Sequence, residues 1–394
     1  MFFKNLQTML KDNIREYGMF IALFIIMGIF TITTNGLFIS PRNISNLINQ
    51  TGYIAVLAVG MTLIIVIRHI DLSVGFLAGF LGAVVAIALS SWGWSVYIVI
   101  PFVLVLGALA GLLTAYPVAQ LGIPSFVASL AGWLIYRGLL LLATAGTGTI
   151  IISDPVFNAI GNGFIPDIFP NRGFVPDVHI VTLLLGVIAI IFFVFSAISS
   201  RKKEQAYDFE VLPPDMFILQ LVFVAILISA ITWTLAGHNG LSWTTVVVLL
   251  VVGIYHFITT QTVLGRHIYA VGGNPEAAEL SGINVKQMTY VVFSSMGMLS
   301  ALSGILFASR LRSATTTAGT LFELDAIAAA FIGGVSAAGG VGKVTGSLIG
   351  ALVYMSLTSG MNLMNVDIAY QYVVRGLVLV AAVVFDVATR SRGK

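Results

Sequence analysis

Long apolar runs separated by short polar turns dominate the sequence. A helix needs roughly 20 mainly apolar residues to span about 30 Å of hydrocarbon. Twelve segments fit this description: 17–34, 46–67, 74–91, 95–115, 124–143, 179–198, 215–236, 241–260, 288–309, 324–338, 344–360 and 367–387. No long stretch alternates polar and apolar residues as barrel strands do. The sequence therefore predicts an all-α fold, a polytopic transmembrane helical bundle of about ten to twelve helices.

The composition agrees with a membrane protein and excludes several soluble classes. Of the 394 residues, 58% are hydrophobic and only 9% are charged, whereas soluble domains carry about 25% charged residues. Membrane lipid is an expected partner and nucleic acid is not. The chain has no cysteine and five scattered histidines, so we expect no metal site and no cofactor, and a membrane-embedded enzyme is disfavoured.

The distribution of lysine and arginine predicts the orientation. If the N-terminus is inside, 13 of the 19 cationic side chains fall in cytoplasmic segments and 4 fall outside, as the positive-inside rule requires. We interpret the first apolar run as an uncleaved helix, because no small-residue cleavage site follows it. The prediction is a multi-pass protein of the bacterial plasma (inner) membrane with both termini in the cytoplasm.

Two parts of the chain repeat each other. Gly107–Tyr116 matches Gly346–Met355 at an offset of 239, and the residues around Arg137 match those around Arg375 at an offset of 238. Small-residue motifs also recur by chance, because they pack helices in general, but the near-constant register favours duplication. Since an odd number of segments separates the copies, they run in opposite directions, which gives the inverted-topology repeat found in many transporters.

Several ionisable side chains fall at membrane depth, where each is costly and needs a reason. We expect the two repeat-related arginines, Arg137 and Arg375, to brace broken helix ends by bonding to carbonyl groups, with substrate contact as the alternative. Asp71 and Ser73 precede an apolar segment. They either cap that helix or lie at the break of a discontinuous helix that lines a pathway.

Amides and a second acidic pair complete the candidate pathway. Asn46 shares a helical face with Asn49 and Gln50, and such amides either bond neutral hydroxylated solutes or join helices. Glu323 and Asp325 are the outer counterpart of Asp71. The candidate pathway residues are Asn46, Asn49, Gln50, Asp71, Ser73, Glu323 and Asp325. So few intramembrane carboxylates disfavour a proton-coupled carrier.

A distinctive polar loop lies on the basic side of the bundle. Pro275 at a first helical turn and the acidic Glu276 predict a short helix, which Gly282 is placed to end. A short helix held at the cytoplasmic surface suits the docking of a soluble partner.

At this loop the sequence resembles the membrane permeases of bacterial ABC importers for pentoses and hexoses. The resemblance is carried by five stretches: Gly265–Asn284, Ile70–Gly75, Leu324–Ala330, Phe331–Gly342 and Gln371–Gly376. It runs through most of the chain and is nearest to the xylose-type and multiple-monosaccharide permeases. Ribose-type members have about ten helices, so the resemblance implies that the stretch near 150–240 is an extra helical pair.

The resemblance implies a mechanism and partners. Two permease chains, expected to be a homodimer, would form the pathway for xylose, arabinose, galactose or a similar monosaccharide. An extracytoplasmic sugar-binding protein would deliver the sugar, and a separate cytoplasmic ABC ATPase would hydrolyse ATP, so the chain itself is not an enzyme. The residues expected to couple to the ATPase are Gly265, Arg266, Gly273, Asn274, Glu276, Ala277, Ala278 and Gly282. The alternative is a stand-alone secondary sugar transporter.

These predictions divide the chain as one transmembrane permease domain, 1–394. Its parts are a first repeat half at 44–143, an outer loop with the extra helical pair at 144–240, a cytoplasmic coupling loop at 261–288 and a second repeat half at 288–388.

Overall fold

The computed structural model describes residues 14–169, 178–209 and 211–391. The first half contains α1 (Ile14–Thr33), α2 (Pro41–Val66), α3 (Val74–Ser90), α4 (Val96–Leu121), α5 (Ser125–Thr144), β1 (Thr149–Ile151) and α6 (Pro155–Asn162). The middle contains α7 (Ile180–Ala206), α8 (Pro214–Ala236), α9 (Trp243–Gln261), α10 (Val263–Gly273) and α11 (Pro275–Leu280). The second half contains α12 (Val285–Leu311), β2 (Ser313–Thr315), α13 (Phe322–Ile332), α14 (Val344–Leu363) and α15 (Ile368–Ser391).

The predicted polytopic helical bundle is confirmed. Nine helices within the described residues are long and apolar enough to cross a membrane, and each of the twelve predicted segments coincides with a helix. Three of the predicted segments are not among these nine: the apolar part of α1 (Gly18–Thr33), α3 and α13. Helix α3 has 17 residues and α13 has 11. The predicted segment 324–338 was too long, because Gly333 and Gly334 end α13 and Gly334 has a left-handed φ of 85°.

Helix α2 forms the centre of the bundle. From Ile54 to Val66 it is apolar apart from Thr62, and Ile54–Val59 are completely buried, as expected for a helix surrounded by other helices. Helices α12, α13 and α14 pack around it. By contrast, α7 and α8 pack chiefly on each other at the periphery and expose apolar side chains such as Phe192 and Phe195. That exposure suits a lipid environment.

The two halves pack against each other reciprocally. Helix α4 packs on α12 while α14 packs on α2, and α5 packs on α3 while α15 packs on α13. The start of α2 meets the end of α12, where Arg310 donates to Asn46 at 3.2 Å. The end of α4 meets the start of α12, where Lys286 donates to Gln120 at 3.4 Å.

Similar contacts fix the direction of α14. Its end lies beside the start of α2, where the Ser359 hydroxyl donates to Asn43 at 3.4 Å. Helices α4 and α14 are therefore each antiparallel to a partner, and those partners are antiparallel to each other. It follows that α4 and α14 run in opposite directions, as the inverted repeat predicts.

Five of the lysine and arginine residues lie in parts of the chain that the structure does not describe. Lys4, Lys11, Arg172, Arg392 and Lys394 contributed to the predicted orientation and lie outside the described residues.

Candidate functional site

Two short helices from opposite halves of the bundle begin against each other in the protein interior. Gly75, near the start of α3, contacts the Glu323 carboxylate in the first turn of α13. A Cβ atom at position 75 would overlap that carboxylate and would lie 2.6 Å from the Gly319 carbonyl oxygen. Glycine at position 75 therefore allows α3 and α13 to approach closely. This approach places the Glu323 carboxylate at the positive N-terminal end of α3.

The Glu323 carboxylate has one bonded oxygen and one open oxygen. Trp133 of α5 donates from its indole nitrogen to Oε1 at 3.0 Å. Oε2 has no hydrogen-bond partner among the described residues, although the residue is only 4% exposed. A buried acceptor without a partner is unusual in folded proteins, and this one lies where the two short helices meet.

Asp71 and Ser73 form the turn that leads into α3. One Asp71 carboxylate oxygen accepts from the Ser73 N–H at 2.9 Å and from its hydroxyl at 2.6 Å. The turn lies beside α5, because the Ser129 hydroxyl donates to the Ile70 carbonyl at 3.3 Å. Ser129 is about 6 Å along α5 from its first residue. The Ser73 side chain forms no bond to the backbone of α3, so the pair stabilises the turn before the helix and does not cap the helix itself.

Asp325 and Arg375 form a buried ion pair between α13 and α15. Their side chains are 3.9 Å apart and are 12% and 16% exposed. Arg375 also donates to the Thr358 hydroxyl at 2.9 Å and lies over the Tyr354 ring at 5.6 Å. Among the described residues, Arg375 forms none of the expected bonds to carbonyl groups. A carboxylate, a hydroxyl and an aromatic ring hold it, and all three brace the second half.

Arg137 has different surroundings from its repeat-related partner. Its guanidinium lies 5.0 Å from the centre of the Phe76 ring and 5.6 Å from that of Trp133. No described residue forms a hydrogen bond or an ion pair with it. The expected carbonyl partner is therefore wrong here too, and aromatic rings take its place.

The amides of α2 do not gather on one pathway face. Asn49 is buried and accepts from the Ser242 hydroxyl at 2.5 Å, which joins α2 to α9. Asn46 accepts from Arg310 of α12, and Gln50 is half-buried. Of the two interpretations, helix joining fits Asn46 and Asn49. The sequence places Arg310 among the four outer cations and does not reveal its contact with Asn46, because the two residues are 264 positions apart.

The 261–288 loop contains the predicted short helix. The Asn274 side chain caps α11 by accepting from Ala277 N–H at 3.1 Å, and Pro275 begins the helix. Gly282 follows with a left-handed φ of 84°, which glycine adopts without strain. These local signals were readable from the sequence because capping and termination depend on neighbouring residues.

The exposed side of this loop differs from the predicted coupling set at two positions. Arg266, Gly273, Asn274, Glu276, Ala277 and Gly282 are exposed. Ala278 is only 4% exposed and Gly265 packs against the end of α9, so neither lies on the outer surface. Sequence reasoning missed Leu280, which is 91% exposed. A leucine so exposed in a short, acidic helix suits a contact with another protein.

Arg68 ties this loop to the end of α2. Its Nε donates to the Gly272 carbonyl oxygen at 2.7 Å, and a terminal nitrogen donates to the Gly273 carbonyl. Sequence reasoning missed the role, since Arg68 was counted only as a cytoplasmic charge. Its left-handed φ of 65°, uncommon for a side chain of this size, marks a turn set by these contacts.

The loop between α13 and α14 joins the same junction. The Gly340 N–H donates to the Val66 carbonyl at 2.9 Å, and the Tyr269 hydroxyl donates to the Gly342 carbonyl at 2.5 Å. Burial raises the pKa of Tyr269 to about 12, so the hydroxyl keeps its proton at physiological pH. Helix α10 therefore contacts the ends of both short-helix units at once.

A polytopic bundle in which two short helices from opposite halves meet has the architecture of a membrane transport permease. The chain belongs to the family described as branched-chain amino acid transport system / permease component, whose model matches residues 43–383.

Curated relatives cover nearly the whole chain. The xylose transport system permease protein XylH of Haemophilus influenzae is 37% identical over 96% of this chain and 98% of its own. The protein of the same name from Escherichia coli is 38% identical over 96% and 93%. The ribose import permease protein RbsC of Haemophilus influenzae is 34% identical over 94% and 93%. No solved structure matches.

Proposed function

We propose that this chain is the transmembrane subunit of an ABC importer in the bacterial inner membrane that carries a monosaccharide. The single observation that carries the proposal is the junction at Arg68, which links an exposed cytoplasmic helix to both short-helix units. The family membership and the names of the xylose and ribose relatives supply the substrate class. We place a pentose first, and xylose is the first sugar to test.

Two copies of the chain form the complete pathway in this proposal. The two repeat halves, 44–143 and 288–388, supply one short helix each, and the pathway runs beside the meeting point of those helices. Glu323 and the turn at Asp71 belong to that region. Both termini, the 261–288 loop and the ATPase then lie on the cytoplasmic side, and the binding protein delivers sugar from the other side.

Docking of the ATPase uses the outer surface of α11. Glu276, Ala277 and Leu280 are exposed there, and Gly282 closes the helix. ATP binding moves α11, and the bonds from Arg68 and Tyr269 pass that movement to the ends of α2 and α14. Hydrolysis occurs in the separate subunit, and this chain contributes no catalytic residue.

The experiment is uptake of radiolabelled xylose by proteoliposomes that contain the chain, its ATPase and its sugar-loaded binding protein. Uptake that requires ATP, and that disappears with an ATPase variant unable to hydrolyse it, supports the proposal. Uptake that continues without the ATPase and collapses with the proton gradient would instead identify a secondary transporter. The control is the same vesicle with the binding protein left empty.

A further inference from the structure

The repeat makes Arg137 and Arg375 a matched pair with unequal surroundings. Arg375 meets a carboxylate and a hydroxyl. Arg137 meets only the rings of Phe76 and Trp133, and its side chain is exposed at the surface of the single chain. One copy of the repeat therefore neutralises its arginine internally, whereas the other presents an uncompensated cation.

Arg137 lies deep in the membrane span. It is the thirteenth residue of α5, which runs Ser125–Thr144, so it lies about 18 Å along the helix at 1.5 Å per residue. A guanidinium at that depth is costly against hydrocarbon, and such groups almost always lie in a bundle interior or a water-filled cavity. Exposure in the single chain thus marks a surface of α5 that does not contact lipid.

We propose that Arg137 lines the aqueous pathway and donates hydrogen bonds to the hydroxyl groups of the transported sugar. The proposal rests on the transport function given above and assigns one residue to it. The rings of Phe76 and Trp133 lie against the guanidinium and hold it in place. Its N–H groups, which are unbonded among the described residues, remain available to neutral oxygen acceptors.

Trp133 extends the site toward the meeting point of the short helices. Its ring lies beside the Arg137 guanidinium, and its indole nitrogen donates to Glu323 at 3.0 Å. A guanidinium exposed in the single chain and a buried carboxylate with an unbonded oxygen thus flank one aromatic ring. The carboxylate can accept from the solute only when the short helices separate. Hydroxyl groups both donate and accept, so this combination suits a neutral polyhydroxylated solute.

The absence of cysteine allows a direct test of the surroundings. In active proteoliposomes, Arg137→Cys should react with a membrane-impermeant cationic methanethiosulfonate, and xylose-loaded binding protein with ATP should slow that reaction. Ile135→Cys is the matched control. Ile135 is also exposed in the single chain, at 58%, but it lies on the opposite side of α5 from Arg137, with the buried Tyr136 between them in sequence. The cysteine thiolate attacks the sulfenyl sulfur of the reagent and displaces methanesulfinate. Apolar surroundings suppress formation of the thiolate, so we expect about tenfold slower labelling of Ile135→Cys.

A second variant keeps the arginine in place. Leu141→Cys lies one turn from Arg137 on the same side of α5 and is 45% exposed in the chain. It should be labelled like Arg137→Cys even if the latter assembles poorly. Equal, slow labelling of Leu141→Cys and Ile135→Cys would overturn the proposal, because it would place this side of α5 in lipid or in a dry contact with the second copy.

Transport kinetics separate substrate contact from bracing. We expect Arg137→Met to lower the rate of xylose uptake roughly tenfold, as for loss of a hydrogen bond from a charged donor. ATP hydrolysis stimulated by the binding protein should persist, and Arg137→Lys should recover part of the uptake. Unchanged uptake by Arg137→Met would refute the assignment. Absence of ATP-dependent uptake by the unaltered chain would instead refute the transport function itself.

Discussion

The Arg68 Nε donates to the carbonyl oxygen of Gly272 at 2.7 Å, across 204 positions of sequence. The bond joins the end of α2 to α10, immediately before the exposed helix α11. Because Gly340 also bonds the end of α2, a shift of α11 is felt at both the first and the second repeat half. This junction gives coupling a physical route that passes through named bonds.

Arg68→Gln should therefore uncouple ATP hydrolysis from uptake. Glutamine lacks the planar fork that reaches two carbonyls, so we expect roughly tenfold less xylose transported per ATP, from the loss of charged hydrogen bonds. Membrane insertion and basal hydrolysis should be unchanged. The control is Lys286→Gln, which removes another exposed cytoplasmic cation and a bond of 3.4 Å to Gln120. Equal coupling ratios in the two variants would contradict the role of the junction.

Gly75→Ala should destabilise the meeting point of the short helices. The added methyl group overlaps the Glu323 carboxylate and the Gly319 carbonyl, and overpacking of this kind costs about 1–3 kcal/mol. A lower thermal unfolding midpoint in detergent, together with reduced uptake, is the expected result. Gly138→Ala is the matched control, since no atom lies within 4 Å of a Cβ atom there. A midpoint unchanged in both variants would show that the contact is loose.

Removal of one partner of the Asp325 and Arg375 pair should cost more than removal of both. Arg375→Met leaves a carboxylate buried without its cation, and loss of one partner of a buried pair typically costs about 3–5 kcal/mol. Adding Asp325→Leu removes the stranded charge and should restore most of the stability. The measurement is the thermal midpoint of each single variant and of the double variant. Additive losses in the double variant would show that the two groups act independently.

Gly282→Pro and Glu276→Lys should abolish uptake while leaving the protein in the membrane. Proline cannot adopt the φ of 84° found at Gly282, so the end of α11 must change. The charge reversal at Glu276 alters the exposed docking surface without burying a new group. Co-purification of the ATPase with each variant measures the effect. Lys202→Glu, at the exposed end of the peripheral α7, is the control and should retain both the ATPase and uptake.

Local patterns predicted the long apolar helices and the short helix α11. They missed α6 (Pro155–Asn162), although Asp154 caps it and Pro155 begins it, and they missed α10. Hydropathy located each apolar segment, because spanning the bilayer is a requirement on composition over about 20 residues. The cap at Asn274 and the stop at Gly282 were likewise readable, since both act within a few positions. The family resemblance drawn from the cytoplasmic loop agreed with the relatives found.

Only the tertiary structure decided which polar groups meet. The hydrogen-bond partners of the Arg68, Arg310 and Glu323 side chains lie 148 or more positions away in the chain, beyond any periodic pattern. Packing likewise decides that Ala278, expected at the docking surface, lies inside. Arg137 and Arg375 are equivalent in sequence and differ only through their neighbours. Burial and pairing of a charge are properties of packing, and a linear pattern of apolar residues does not contain them.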